Sequence, residues 1–218
     1  MSKKQRNHKY QTQEINKRKI MIITMLIILI IILLIFFVKN NNKAAKTLKI
    51  GNNSTSQEIV DYILNISSYE TEIEVEVKSN KNSNKYKIKQ KYINNENNIQ
   101  EVIEPSNIEG VKIIKEGANL KIENTRLSLT KIIENYKDIT QNNLDLIEFI
   151  QNYKNNSNSR FKEENNQILM ETTAKTENNY QKYEKLYVSK ENGKPTKMEI
   201  KDTNQNTIIY IIYSEIEI

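Results

Sequence analysis

The sequence contains no cysteine and no tryptophan, one histidine, two prolines and four glycines. Without cysteine there is no disulfide framework, no thiolate nucleophile and no lipid-modified cysteine. The lone histidine, His8, lies on a basic tail at the start of the chain. The remainder therefore has no imidazole for acid–base work or metal ligation, and Cys/His and Ser/His/Asp arrangements are excluded. None of the glycines forms a phosphate-cradling loop. Adjacent carboxylates such as Glu163 and Glu164 point to opposite faces of a strand and make a poor glycosidase couple. These absences lead to the expectation of a chain that is not an enzyme, with no cofactor and no metal.

A net charge of +6 invites a nucleic-acid reading, but its position removes it. Seven basic residues (Lys3, Lys4, Arg6, Lys9, Lys17, Arg18, Lys19) and one acid, Glu14, precede residue 39. Taking these from the totals of 33 and 27 leaves 26 basic and 26 acidic residues in the rest of the chain. A nucleic-acid binder needs its basic surface on the folded part.

The tail runs into "IMIITMLIILIIILLIFFV", Ile20 to Val38, where Thr24 is the one polar residue. As a helix at roughly 1.5 Å per residue it spans about 28 Å, near the ~30 Å hydrocarbon core of a bilayer. We expect a transmembrane anchor over this run, with Ile20, Ile27, Leu34 and Val38 among its membrane-embedded residues. A cleaved leader fits less well, because its apolar region runs about 7–15 residues and ends at a small-residue site. Here the nearest small pair, Ala44-Ala45, follows Lys43. Basic residues are denser before the run than after it, which places the N-terminus in the cytoplasm. The expected organisation is a cytoplasmic tail (1–19), a transmembrane helix (20–38), a linker (39–53) and an extracytoplasmic domain (54–218).

The domain opens with "STSQEIVDYILNI", in which Ser54 and Gln57 have capping-box spacing and Ile59, Ile63 and Ile66 share a face. "YETEIEVEVKSNKNSNKYKIKQKYI", Tyr69 to Ile93, then alternates glutamates with apolar residues, and lysines with apolar residues after a loop. An antiparallel hairpin with Lys78 opposite Lys85 puts Glu76, Glu74 and Glu72 across from Lys87, Lys89 and Lys91. One register thus satisfies both faces. The charge sorting specifies a hairpin, and the lysines neutralise the glutamates rather than leave them free for a cation.

Further strands follow. "NIQEVIE" stops at Pro105, "GVKIIKEGANLKIEN" turns near Gly117, and "TRLSLTKII" begins extended or helical. "NNLDLIEFIQNYK" reads as a second helix capped by Asn142 or Asn143, with Leu144, Ile147, Ile150 and Tyr153 inward. Asn192-Gly193 signals a two-residue hairpin turn. The pattern implies an α+β domain: one curved antiparallel sheet with its helices on one face.

The last segment, "TIIYIIYSEIEI", is apolar on both faces, with Ile208, Tyr210, Ile212, Ile216 and Ile218 on one and Ile209, Ile211 and Tyr213 on the other. Such a strand needs cover on both sides. It is either a central strand, or one whose second face or edge is covered by another chain. Tyr210, Ile211 and Tyr213 are the candidate partner-binding residues.

The run "VIEPSNIEGVKIIKEGANLKIEN" resembles lipoprotein-carrier-like domains of the LolA/LolB kind. "LKIENTRLSLTKIIENYKDITQNNLDLIEFIQNY" is similar to the clostridial germination lipoproteins typified by GerS. The resemblance covers roughly residues 55–218. It implies a half-barrel sheet with helices on its concave face and a role in spore germination. It also implies a non-catalytic partnership with the cortex-modifying N-acetylmuramoyl-L-alanine amidase. The family's lipobox cysteine is missing, and the apolar run stands in its place. The chain is therefore expected to be a membrane-anchored adaptor in the cell or forespore membrane. Its alternatives are a lipid- or lipoprotein-binding carrier and an extracytoplasmic sensor, and a homodimer is a further possibility for the last strand.

Overall fold

The computed structural model describes residues 54–79, 81–93, 97–134, 136, 144–174 and 180–218. The expected tail, transmembrane helix and linker lie outside these residues. Among the described residues no helix is long and apolar enough to cross a membrane.

Local hairpins dictate the sheet. Strands β1 (Tyr69–Lys78), β2 (Ser83–Ile93), β3 (Asn97–Glu104), β4 (Val111–Glu116), β5 (Asn119–Asn124) and β6 (Leu129–Ile133) follow one another as a meander. A second meander contains β7 (Arg160–Glu164), β8 (Gln167–Thr173), β9 (Tyr183–Ser189), β10 (Pro195–Lys201) and β11 (Thr207–Glu217). Antiparallel pairing of β1 with β11 fuses them into one open, curved sheet of 11 strands, ordered β6-β5-β4-β3-β2-β1-β11-β10-β9-β8-β7. β6 and β7 are therefore the two edges. The chain between them carries α2 (Leu146–Asn155), while α1 (Ser56–Leu64) precedes β1.

Both helices pack on one face, called inner below, where their apolar stripes meet those of β1, β2 and β8–β11. α1 buries Ile59, Val60 and Ile63, and α2 buries Leu146, Ile147, Phe149, Ile150 and Tyr153. The caps differ from expectation by one or more residues. Thr55, not Ser54, closes the box on α1: its hydroxyl accepts from the Glu58 amide while the Glu58 carboxylate accepts from the Thr55 amide. Asp145, not Asn142 or Asn143, caps α2 by accepting from the Ile147 amide at 3.1 Å. Leu144 consequently lies before the helix, and Phe149 joins the inward stripe.

Turn chemistry corrects two registers. In the β1–β2 hairpin Lys78 faces Ser83, so Glu76, Glu74, Glu72 and Glu70 face Lys85, Lys87, Lys89 and Lys91. This is a slip of two residues from the expected pairing, which preserves the faces. Its cause is the tight closure by Ser79, whose amide and hydroxyl both donate to the Asn82 carbonyl. Asn192-Gly193 sits in a four-residue loop rather than a two-residue turn: the Ser189 amide donates to the Lys194 carbonyl, and the Gly193 amide to the Ser189 carbonyl. The two-residue turn is instead Gly117-Ala118, between paired Glu116 and Asn119, and Gly117 adopts the positive φ of +58° that this position favours.

β11 is a central strand, hydrogen-bonded to β1 on one side and β10 on the other. A bulge at Ser214 interrupts its pairing with β1 between Glu72 and Ile73. The bulge moves Ile216 onto the inner face with Ile209, Ile211 and Tyr213, away from the set in which simple alternation puts it.

Candidate functional site

The residues expected at a partner surface divide between the two faces of β11. Ile211 is fully buried and Tyr213 is 6% exposed, both in the inner core. Tyr210 lies on the outer face, its ring under the Lys78 ammonium at 4.4 Å from the centroid. The accessible apolar neighbour of Tyr210 is Ile212, 49% exposed. Alternation along β11 pointed to this face but could not tell which of the two was covered.

Tyr210 and Ile212 belong to a depression of about 280 Å3 on the outer face. Its lining includes Glu74, Glu76, Lys85, Lys87 and Glu104 from β1, β2 and β3. Backbone pairing places Ile212 between Glu74 and Lys197, and Tyr210 between Glu76 and Glu199.

The ions around this depression are not matched straight across the hairpin. Lys87, opposite Glu74, extends its ammonium to Glu72 at 2.5 Å. Lys89, opposite Glu72, reaches Glu70 at 2.9 Å, and Lys91 also binds Glu70 at 3.1 Å. Each of the first two lysines thus serves the glutamate one pair further along, a diagonal within reach of long side chains on adjacent strands. Glu70 is correspondingly held below the ordinary carboxylate range by hydrogen bonds from Lys89 and Lys91. The diagonal shift leaves Glu74 without an ion pair among the described residues, and Glu104 at the end of β3 has none either. The expectation that the lysines neutralise the whole row holds for Glu70 and Glu72 but not for Glu74 or Glu76, neither of which has an ion pair among the described residues.

The inner face holds two buried acids. Asp145 accepts from the Tyr69 hydroxyl at 2.8 Å and from the Asn98 side-chain amide. Burial raises its pKa despite these donors. It lies beside a cavity of about 190 Å3 lined also by Tyr92, Lys115, Glu148 and Gln151. Glu184, 1% exposed, receives the Asn152 side-chain amide at 3.1 Å. Burial pushes its carboxyl up to about 7, with Glu148 adding a smaller repulsion. Three buried polar atoms lack a partner among the described residues: Asn98 Oδ1, Gln100 Nε2 and the Tyr213 hydroxyl. Nothing in the sequence pattern marked Asp145 or Glu184, because each stands singly in its element. No group of three or more His, Cys, Asp or Glu residues suited to a metal occurs among the described residues.

The domain is thus an open antiparallel sheet with two helices on one face and, on the other, a charged depression that includes Tyr210 and Ile212. The chain belongs to the sporulation protein YdcC-like family, which matches residues 17–218. It is also similar to GerS in the structure of the CwlD amidase from Clostridioides difficile in complex with the GerS lipoprotein. That likeness has a TM-score of 0.50 and 26% identity, covering 76% of this chain and 97% of that one. The sequence resemblance to the GerS-related proteins is thereby shown. A LolA superfamily protein from Nitrosomonas europaea matches at 14% identity and a TM-score of 0.38, covering 76% of this chain and 94% of that one. An uncharacterized conserved protein from Thermus thermophilus matches at 10% identity and a TM-score of 0.49, covering 75% and 87%. No curated protein matches the chain.

Proposed function

We infer that this chain is a non-catalytic, membrane-anchored adaptor that binds a cell-wall enzyme during sporulation. The enzyme is an N-acetylmuramoyl-L-alanine amidase, and the role lies in spore cortex modification and germination. One observation carries the reading: the likeness to GerS, in a structure where GerS is bound to an amidase, extends over nearly the whole of that chain. Membership of a sporulation family supports the same setting. The anchor is the apolar run Ile20–Val38, with the domain outside the membrane and the tail in the cytoplasm. In this reading the protein supplies surface rather than chemistry. Its most perturbed carboxyl, Glu184, is sealed against Asn152 under α2.

The test is reconstitution of the full chain in detergent micelles with the amidase of the source genome most similar to CwlD. Binding measured by biolayer interferometry, together with increased release of stem peptides from cortex peptidoglycan, is the expected result. If the chain neither binds the amidase nor changes its activity, the adaptor reading fails.

A lipid-binding carrier is the second reading. Half-buried Val102, Ile113 and Ile122 lie on the inner face of β3–β5, beyond the strands that the helices cover. Buried Asn98 and Gln100 beside them make the floor polar, which an acyl chain tolerates poorly. Organic extraction of the purified protein, followed by mass spectrometry, distinguishes the two.

A further inference from the structure

The outer depression has a composition that selects one kind of occupant. Its floor is apolar where Ile212 is half exposed beside the Tyr210 ring. Its lining holds three carboxylates, Glu74, Glu76 and Glu104, against two lysines, Lys85 and Lys87. The Lys87 ammonium is engaged by Glu72 outside that lining, and Glu76 accepts the Ser83 hydroxyl at 2.7 Å. Glu74 and Glu104 remain without an ion pair among the described residues, in the lining of a depression that also includes Tyr210 and Ile212.

We propose that this depression is a docking site for an arginine side chain of a protein partner. The aliphatic stem lies on Ile212, and the guanidinium meets Glu74 and Glu104. The inference rests on the adaptor reading for the partner's identity, but not for the chemistry of the pocket. Arginine fits better than lysine because its planar, weakly hydrated head offers several donors to two carboxylates while its stem covers apolar surface. Phosphate-bearing partners, whether nucleic acid or lipid headgroup, are repelled by the unpaired carboxylates. An apolar centre ringed by charged groups is also the arrangement in which arginine anchors concentrate binding energy.

The site follows from strand geometry. Because Lys87 and Lys89 reach one pair along β1, Glu74, which pairs with Ile212 of β11, keeps no ion pair among the described residues and feels Lys87, engaged by Glu72, only at longer range. The same charge row that fixes the hairpin thus leaves one member available beside the exposed isoleucine.

The experiment uses the full chain in detergent micelles and a blocked peptide, acetyl-Gly-Leu-Arg-Leu-Gly-amide, with a glutamate-for-arginine peptide as control. Saturation-transfer NMR and titration are expected to show saturable binding of the arginine peptide and none of the glutamate peptide. The double variant Glu74→Gln/Glu104→Gln, and separately Ile212→Ser, are expected to weaken binding at least about fivefold. Glu191→Gln, on an exposed loop, is expected to leave binding unchanged. All three substituted surfaces are accessible, and amide dispersion confirms that each variant is folded. The proposal is overturned if both peptides bind alike, if neither binds up to about 10 mM, or if the pocket variants bind as the wild type does. The same variants are then assayed against the amidase. An amidase that binds them as tightly as wild type keeps the adaptor reading and overturns this site. Peptide binding that the pocket variants weaken, without any amidase binding, supports the site and removes the adaptor reading.

Discussion

Tyr69 and Tyr213 both bury a phenol on the inner face of the sheet, yet their hydroxyls have opposite standing. The Tyr69 hydroxyl donates to Asp145 at 2.8 Å, whereas the Tyr213 hydroxyl has no partner among the described residues. Burial raises the pKa of both, so neither ionises near neutrality. A buried polar group without a partner opposes folding, and one bonded to a charged acceptor favours it. Tyr69→Phe is therefore expected to destabilise the protein by about 1–3 kcal/mol, and Tyr213→Phe to be neutral or stabilising by up to about 1 kcal/mol. Urea denaturation of the two variants checks the contrast, and equal losses would show that the Tyr213 hydroxyl is satisfied in solution. Burial also changes the meaning of substituting Tyr213 as an interface residue. A charged replacement there tests the core, so an outer-face interface is probed at Ile212.

The β1–β2 hairpin shows what element-level pattern conveys and what it omits. Alternation identified both strands and both faces, because a period of two allows few other readings. The register differs by two residues from the one alternation suggests, since the closure by Ser79 and Asn82 depends on hydrogen bonds that alternation does not encode. The diagonal reach of the lysines was equally invisible, as it belongs to the relation between strands. It yields a test. Reversing Glu70 and Glu72 to lysine is expected to lower the melting temperature modestly, and adding Lys87→Glu and Lys89→Glu is expected to recover most of the loss. If the fourfold variant melts no higher than the double variant, the ladder does not contribute to stability. The two edges of the sheet invite a second test. β7 is guarded by charge, with Lys162 bound to Glu164 at 2.9 Å and Glu163 accepting the Ser56 hydroxyl at 2.5 Å. β6 exposes Leu129 and Ile132, the latter 58% accessible, and among the described residues it pairs with a strand on one side alone. An apolar open edge is a template for self-association. Ile132→Lys is expected to reduce concentration-dependent light scattering without altering the melting temperature. Unchanged scattering would show that this edge is covered by other means.

At the scale of the whole molecule, the fold class was legible because two amphipathic helices and most of the strands announce themselves locally, β6 excepted, whose segment reads equally as a helix. The way the two meanders join was not. Pairing β1 with β11 brings together residues Glu70–Val77 and Ile209–Glu217, and no short-range pattern carries that contact. Two buried acids lie against α2. Asp145 caps α2 and Glu184 lies beneath its C-terminal half through Asn152, so both ends of one helix rest on carboxyls withdrawn from water. Glu148 on α2 and Tyr213 on β11 face Glu184, and Lys115 on β4 faces Asp145. The sign of the pH dependence follows. Glu184 titrates near 7 when folded, against an ordinary 4.5, so the native state holds a proton that the unfolded state releases. Its contribution is fully present below about pH 4.5 and is lost as pH rises through about 7. Asp145 acts in the same direction. Glu171 and Glu199, held low by lysines and an arginine, act in the opposite direction at acid pH. Among the shifted groups, Glu184 is therefore the one whose titration lowers stability as pH rises through neutrality. Glu184→Gln removes this titration while keeping an acceptor for Asn152. Relative to wild type, the variant is expected to gain roughly 1–3 kcal/mol between pH 5 and pH 8. Chemical denaturation at the two pH values measures this directly. A difference between variant and wild type that stays constant with pH would mean that Glu184 is ionised throughout, and that water reaches it beneath the helix.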